Sequence, residues 1–474
     1  MIKSKLFLLC FLINFCVSAQ QFIGPLMGPL KAVENLRVSN EFDDVKAIVL
    51  SDAYNEHADE FILNFINKIS LMGLADMPLI IVSAGKELRK KILEKHMVLY
   101  HLKKIEFIWF GFGFFPQDAF QGFTHVEYGG IVIRTNDKSR ESVGKVFTES
   151  FKPFLENKIN MSFGDYVTIP ESGRMRSAYT FGNVESLFDG TLMVGDAQFT
   201  DAEFENYAKQ MKLNHLTTLK IKTNHFAVGH VDQSIKVMPS HNKENDLCPV
   251  SIMSLDTGKG IDLLRTNLDA EIEYYQADQF YIDIKNRSKG IDLSGFRSLV
   301  QFRELLCAVQ MKQNLLGKNY SKTQYFENSK YKSGTRCSKI YAQDIVALYD
   351  QNIVFRELNV RAQKNQKDNV KMVKDDLTSK IPSCANLKVV SIPNVLIPTG
   401  KKSGIELFPN IVNSVYYKGN LFHGLFGFQP YEDYLLKEFE KVSLKPVKMN
   451  DRIYHYMGGG VHCATNLLRS KSSE

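Results

Sequence analysis

The sequence predicts an α/β chain, on two observations. Short apolar runs rich in β-branched and aromatic residues recur early in the chain, and amphipathic helical spacing lies between some of them. The runs span residues 45–50, 79–82, 105–115 and 131–133. Between the first two, Phe61, Ile62, Phe65, Ile66 and Ile69 recur at helical spacing. Thr200 with Glu203 has the form of a capping box, which predicts a helix running through Met211. No repeat with a fixed sequence period is visible. Residues 240–246 read as a surface loop. Residues 356–380, dense in Lys, Asp, Asn and Gln, read as a solvated helix face with flanking loop.

Composition sets the outer limits. The chain has 474 residues, 44% apolar, 23% charged and 11% aromatic, which excludes a largely disordered, collagen-like or multispan membrane protein. Its formal net charge is +7, and two of those positives, Lys3 and Lys5, belong to the leader described next. No Lys/Arg stripe is interleaved with aromatics, so no nucleic-acid partner is expected.

Residues 1–19 read as a signal peptide. Lys3 and Lys5 precede an apolar stretch over residues 6–16, and Val17-Ser18-Ala19 forms a small-residue cleavage site before Gln20. The stretch is too short to span a bilayer, and no later stretch is long enough for a membrane helix. The expected location is secreted or periplasmic. Residues 20–40 read as a linker. Of seven cysteines, Cys10 and Cys16 lie in the leader, leaving Cys248, Cys307, Cys337, Cys384 and Cys463. There is no CxxC pair and no zinc-type spacing. In an exported chain four of the five can pair, leaving one thiol.

Three segments can carry chemistry. In His225-Phe226-Ala227-Val228-Gly229-His230-Val231-Asp232 an apolar run ends at a glycine, and a His and an Asp follow two apart. At a strand end such residues share one face, so His230 and Asp232 would enter one cleft. A hydrogen-bonded loop His, or a pair of metal ligands, fits the same spacing. In Met457-Gly458-Gly459-Gly460-Val461-His462-Cys463-Ala464-Thr465-Asn466 three glycines permit a close backbone approach, and Cys463 follows. A nucleophilic Cys needs a base or positive surroundings, whereas an inert buried Cys needs neither. In Phe114-Phe115-Pro116-Gln117-Asp118-Ala119-Phe120-Gln121 a carboxylate follows an apolar run, as it would at a helix N-cap or turn.

Taken together, two carboxylates, a His and a Cys make sense for hydrolysis of a guanidinium. Carboxylate and guanidinium forks match in paired hydrogen bonds, which leaves the central carbon open to a thiolate from one side. An imidazole can protonate departing ammonia and then activate water against the thiouronium intermediate.

The same segments resemble the catalytic domain of the peptidylarginine (protein-arginine) deiminases, in the guanidine-modifying pentein superfamily. The resemblance rests on GHVD at Gly229–Asp232, VHCATN at Val461–Asn466 and the Gln117-Asp118 step. Three more matches lie outside the implied active centre: Tyr166-Val167-Thr168, Phe181-Gly182-Asn183-Val184-Glu185 and Phe408-Pro409-Asn410-Ile411-Val412-Asn413. GHVD is shared with other penteins, including agmatine deiminases; the last two matches favour the protein-acting branch. The resemblance covers about residue 40 to residue 474 and implies a single catalytic domain over 41–474, folded as a five-bladed α/β propeller. It implies Cys463 as nucleophile, His230 as general acid/base, and Asp118 and Asp232 as the guanidinium-binding carboxylates. The implied reaction converts arginine residues of proteins or peptides to citrulline with release of ammonia.

Calcium is the implied cofactor, held by Gln117, Gln121, Glu185 and the carbonyls of Phe181 and Val184. Calcium seeks six to eight oxygens, several of them anionic. Gln121 offers an amide where the family has a carboxylate, and Ala119 and Arg134 replace acids at a second family site. Weak binding or none is therefore expected. Gln233 stands where the family often has Glu, and Met457 where it has a substrate-contacting Arg, a role Arg140 could take. Other readings are a deiminase of a small guanidine such as agmatine or free arginine, an inactive binding module, and a metal hydrolase using His230, Asp232 and His462.

Overall fold

The computed structural model describes residues 36–51, 56–73, 77–95, 104–108, 120–125, 129–136, 141–159, 161–168, 183–197, 201–210, 216–240, 248–273, 301–302, 306, 339–399, 402–456 and 459–470. The chain divides into residues 1–34, which lie outside the described residues, and residues 35–474. Helices and strands alternate through the second part, and the α/β class is observed.

One motif recurs five times. A first strand pairs antiparallel with a second, a helix crosses over, and a third strand pairs parallel with the second. Parallel neighbours need such a crossover because a tight turn cannot reverse the chain twice. In chain order the second repeat uses Phe120–His125, Gly129–Asn136, helix Glu141–Lys158 and Ser162–Thr168. The third uses Val184–Ser186, Leu192–Gly195, helix Asp201–Gln210 and Thr218–Ile221. The fourth uses Ile235–Pro239, Val250–Asp256, helix Thr257–Thr266 and Lys388–Pro393. The fifth uses Val415–Tyr417, Asn420–Gly424, helix Gln429–Glu440 and Lys445–Met449.

The first repeat is assembled from both ends of the described chain. Its second strand is Asp44–Ser51, its helix Glu56–Ser70 and its third strand Leu79–Ser83, with Ile105–Phe107 added alongside. Its antiparallel first strand is Thr465–Ser470. Five repeats are the number that a five-bladed arrangement requires. The hydrogen-bond ladders run within the repeats and do not by themselves draw a closed ring.

Three of the apolar runs read from the sequence lie in strands interior to their sheets, and the run at 105–115 supplies an edge strand. Ala47, Ile48, Val49 and Leu50 are fully buried, as expected of a strand covered on both faces. Phe61, Ile62, Phe65, Ile66 and Ile69 form the buried stripe of their helix. The run at 105–115 is a strand only over Ile105–Phe107 among the described residues. The helix predicted after Thr200 is Asp201–Gln210.

Two readings change. Leu36–Val38, within the expected linker, pairs with Phe120–His125 as a strand. The expected solvated face with flanking loop is one helix, Ile353–Lys380, and it is not solvated all round. Its inner face buries Phe355, Leu358, Ala362, Val373 and Leu377, and also Asn359, Gln366 and Asn369. Those three amides interrupted the apolar pattern and disguised a packed helix as a surface one. Cys248 and Cys384 form a disulfide, and Cys463 is reduced. Cys307 and Cys337 lie outside the described residues, as do residues 241–246 of the expected surface loop. Among the described residues no helix is long and apolar enough to cross a membrane.

Candidate active site

The residues that meet in the site come from the chain just ahead of the first strands. Asp232 leads into Ile235–Pro239, Asn413 into Val415–Tyr417 and Cys463 into Thr465–Ser470. Glu185 lies within Val184–Ser186. Asp118 lies outside the described residues, in the run leading into Phe120–His125.

His230 and Asp232 are not at a strand end. Residues Val231–Gln233 form a 3-10 turn, so the two-residue alternation of a strand does not orient them. The turn is tied on both sides. The His230 backbone N–H donates to Gln233 Oε1 at 3.3 Å, and Gln233 Nε2 donates to Glu406 Oε1 at 3.3 Å. Asn410 Nδ2 donates to the Gln233 carbonyl and to Glu406 Oε1, each at 2.8 Å. Burial pushes the Glu406 carboxyl up to about 7.

Behind the turn, Ser234 Oγ donates to Gln366 Oε1 at 2.9 Å and accepts from Asn369 Nδ2 at 3.0 Å. Gln366 Nε2 meets His225 Nε2 at 2.9 Å. The buried amides of the long helix therefore brace the Asp232 turn. Burial holds His225 down to about 3, so it stays neutral there.

Asn413 is the hub. Its Nδ2 donates to Asp232 Oδ2 at 2.7 Å and to Cys463 Sγ at 3.1 Å. Its Oδ1 accepts from the Cys463 backbone N–H at 3.1 Å, and its carbonyl accepts from the His462 N–H at 3.1 Å. Cys463 Sγ lies 3.7 Å from Asp232 Oδ2, and His462 Nδ1 lies 3.1 Å from the same oxygen. A Cβ at Gly460 would fall 2.7 Å from Asn413 Oδ1, so the glycine lets the carboxamide sit against the Cys463 turn.

The FPNIVN match was expected to lie outside the active centre; its last Asn is in the centre of it. Position shows it only in the fold: Asn413 and Cys463 occupy equivalent lead-ins to two first strands. Tyr166-Val167-Thr168 lies within Ser162–Thr168.

The described site residues are buried, with acids and cations side by side. Asp232 is 2% exposed, His230 3% and Cys463 6%. Burial pushes Glu185 up to about 8, against the opposing charge of Lys236. Burial, together with the charges of Lys236 and Arg469, holds His462 well below its ordinary range. A neutral His462 donates through Nδ1 to the Asp232 carboxylate.

Glu185, Asp232 and His462 place ligand-type atoms within 4.8 Å of one another, so these three, rather than the His230, Asp232 and His462 of the metal-hydrolase reading, form the cluster able to hold a cation. Of the implied calcium ligands, Glu185 and Val184 are described; Gln117, Phe181 and the Gln121 side chain are not. Glu185 Oε1 is buried without a hydrogen-bond partner among the described residues, which suits a ligand. The remaining surroundings suit one poorly, because Lys236 and Arg469 already bring positive charge to this carboxylate. Arg140, Met457, Ala119 and the Arg134 side chain also lie outside the described residues.

No protein-family model matches the chain, and no curated protein does. Solved structures similar to it include the C. jejuni agmatine deiminase, 8% identical with a TM-score of 0.47, covering 93% of this chain and 96% of that one. A provisionally assigned peptidyl-arginine deiminase is 11% identical with a TM-score of 0.48, covering 92% of this chain and 98% of that one. A provisionally assigned arginine deiminase from Porphyromonas gingivalis is 8% identical with a TM-score of 0.47, covering 91% of this chain and 98% of that one.

Proposed function

We propose that the chain hydrolyses a guanidinium group to a urea and ammonia through a covalent Cys463 intermediate. The observation that carries this reading is the carboxamide of Asn413 gripping Asp232 and Cys463 at once, which holds a carboxylate 3.7 Å from a thiol in a buried site. Asp232 binds guanidinium nitrogens, and the sulfur attacks the central carbon while Asn413 fixes the distance. Asp118 supplies the second carboxylate from the matching lead-in of the second repeat. His230 gives a proton to the departing ammonia, and then takes one from the water that releases the urea product. No step is assigned to calcium.

A small guanidine such as agmatine or free arginine is the proposed substrate class, because the acid and thiol are enclosed. An arginine residue in a peptide is the second reading, favoured by the FGNVE and FPNIVN matches. The test is ammonia and ureido-product release from agmatine, arginine and an arginine peptide, comparing the native chain with Cys463→Ala. Turnover that vanishes in a folded Cys463→Ala protein supports the reading; unchanged turnover in that variant ends it. Faster turnover of the peptide would assign the substrate to the second class. Export remains part of the proposal, tested by N-terminal sequencing of the mature protein.

A further inference from the structure

We infer that Glu406 is a positioning residue that locks the turn carrying His230 and Asp232 onto the turn carrying Asn413. Glu406 ends the strand Gly404–Glu406, and it is 3% exposed, as are Gln233 and Asn410. Its Oε1 accepts from two amides, Gln233 Nε2 at 3.3 Å and Asn410 Nδ2 at 2.8 Å. One amide belongs to each turn. Asn410 Nδ2 also donates to the Gln233 carbonyl at 2.8 Å, which closes the seam between them. At the start of the same strand, the Gly404 N–H donates to the His225 carbonyl at 2.9 Å, and the Gly404 carbonyl accepts from the Ala227 N–H at 2.7 Å. The strand therefore grips the chain both before and after His230.

The chemistry of the group explains why an acid sits there. A side-chain amide has an oxygen end and a nitrogen end of nearly the same shape, so packing alone leaves it free to turn either way round. An accepting oxygen removes that freedom. Facing Glu406 Oε1, Gln233 must offer Nε2, and its own Oε1 is left to accept from the His230 N–H at 3.3 Å. Asn410 must offer Nδ2, and its Oδ1 is left to accept from the Val412 N–H at 3.0 Å, while its carbonyl accepts from the Asn413 N–H at 3.1 Å. One oxygen therefore sets the polarity of both amides, and the amides set both turns. A proton on Oε2 leaves Oε1 accepting, so the role is the same with or without charge. Asn413 in turn bonds Asp232 and Cys463, so an error at Glu406 reaches the reacting centre as a shift between acid and thiol. Such misplacement costs rate more than ground-state binding.

The effect on turnover rests on the reading above, whereas the setting of Cys463 can be measured without any substrate. The experiment takes kcat and KM on whichever of agmatine, arginine and an arginine peptide turns over fastest. Beside them it takes the rate of Cys463 alkylation by iodoacetamide at one fixed pH, followed by mass spectrometry. Glu406→Leu removes the acceptor and should lower kcat at least about tenfold with KM within about threefold of native. Alkylation should slow at least about threefold, because the sulfur loses a fixed hydrogen-bond donor. Gln233→Glu sets two carboxyls against each other and should do the same. Gln233→Glu combined with Glu406→Gln moves the carboxyl to the other side of the seam. The carboxamide at 406 then accepts from Asn410 and donates to the carboxyl at 233, which accepts from the His230 N–H. This double variant should return to within about threefold of native in kcat and alkylation, whereas a merely structural acid predicts that the two losses add. A folded Glu406→Leu protein with native kcat and alkylation overturns the proposal. So does a double variant no better than Gln233→Glu alone, which is the deciding result if Glu406→Leu fails to fold. The expected alkylation pattern in a chain that hydrolyses no guanidine would leave the positioning role standing and remove the proposed reaction.

Discussion

The turns that carry Asp232 and Cys463 face each other across 3.7 Å, yet they are held by different means. The Asp232 turn is braced from behind by amides of the long helix, which lies in an insertion between the helix and the third strand of the fourth repeat. The Cys463 turn has no such insert. It is held by reciprocal bonds with Asn413 and by the absence of a side chain at Gly460. One half of the site therefore depends on a distant helix, and the other on a single carboxamide. A change in the helix should act mainly on stability, and a change in the carboxamide mainly on chemistry.

The largest effect is expected at the carboxamide. Asn413→Ala removes the donor shared by Asp232 and Cys463 together with the acceptor of the Cys463 N–H. Turnover should fall at least about a hundredfold, in the range seen when one preorganised hydrogen-bonding group is lost from a reacting centre. Thermal unfolding should move by only a few degrees. Steady-state kinetics beside a melting curve check this, and equal losses in both would erase the contrast between the two turns.

Gln366→Leu is expected to do the reverse. It leaves His225, Ser234 and Ser254 without the partner they share in a buried seam. Stranding buried polar groups costs about 1–3 kcal/mol each, so denaturant unfolding should show a loss of about 3 kcal/mol or more. Turnover per folded molecule should fall less than in Asn413→Ala.

The smallest effect concerns Asp451, a buried acid outside the site. Burial pushes its carboxyl up to about 8. A Cβ at Gly424 would meet both its oxygens at 2.3 Å, so the backbone closes over it. A group protonated in the fold and ionised in the unfolded chain stabilises fully below about pH 4, and that contribution is lost as pH rises toward about 8. His225 has the opposite slope, because its proton affinity is lowered in the fold. Its contribution is present above about pH 6.5 and lost as pH falls toward about 3. Unfolding at pH 5, 7 and 9 should show Asp451→Asn flattening the fall in stability between pH 5 and about pH 8.

The contrast also marks what the sequence could disclose. Apolar runs and the Phe61–Ile69 stripe gave the α/β class because local periodicity reports local burial. Cys463 and Asp232 were legible because their motifs are contiguous. The fivefold motif was not legible in periodicity and entered only as what the resemblance implies. Its strands range from three residues to eight, the fourth copy is opened by the insertion, and the first copy draws a strand from the far end of the chain. Such a repeat exists in pairing pattern without a sequence period. Asn413 was seen as part of a matching segment, but its place between Asp232 and Cys463 depends on the meeting of two repeats.

The pairing of Thr465–Ser470 with Asp44–Ser51 has a temporal consequence. This contact is among the longest in sequence that the chain makes, and such contacts carry a high closure entropy and tend to form late. Cys463 sits immediately ahead of that strand. Under the proposed reaction, a growing or partly folded polypeptide would carry an ordinary cysteine there, and the thiol would gain its bonds to Asn413 only once Thr465–Ser470 docks onto Asp44–Ser51.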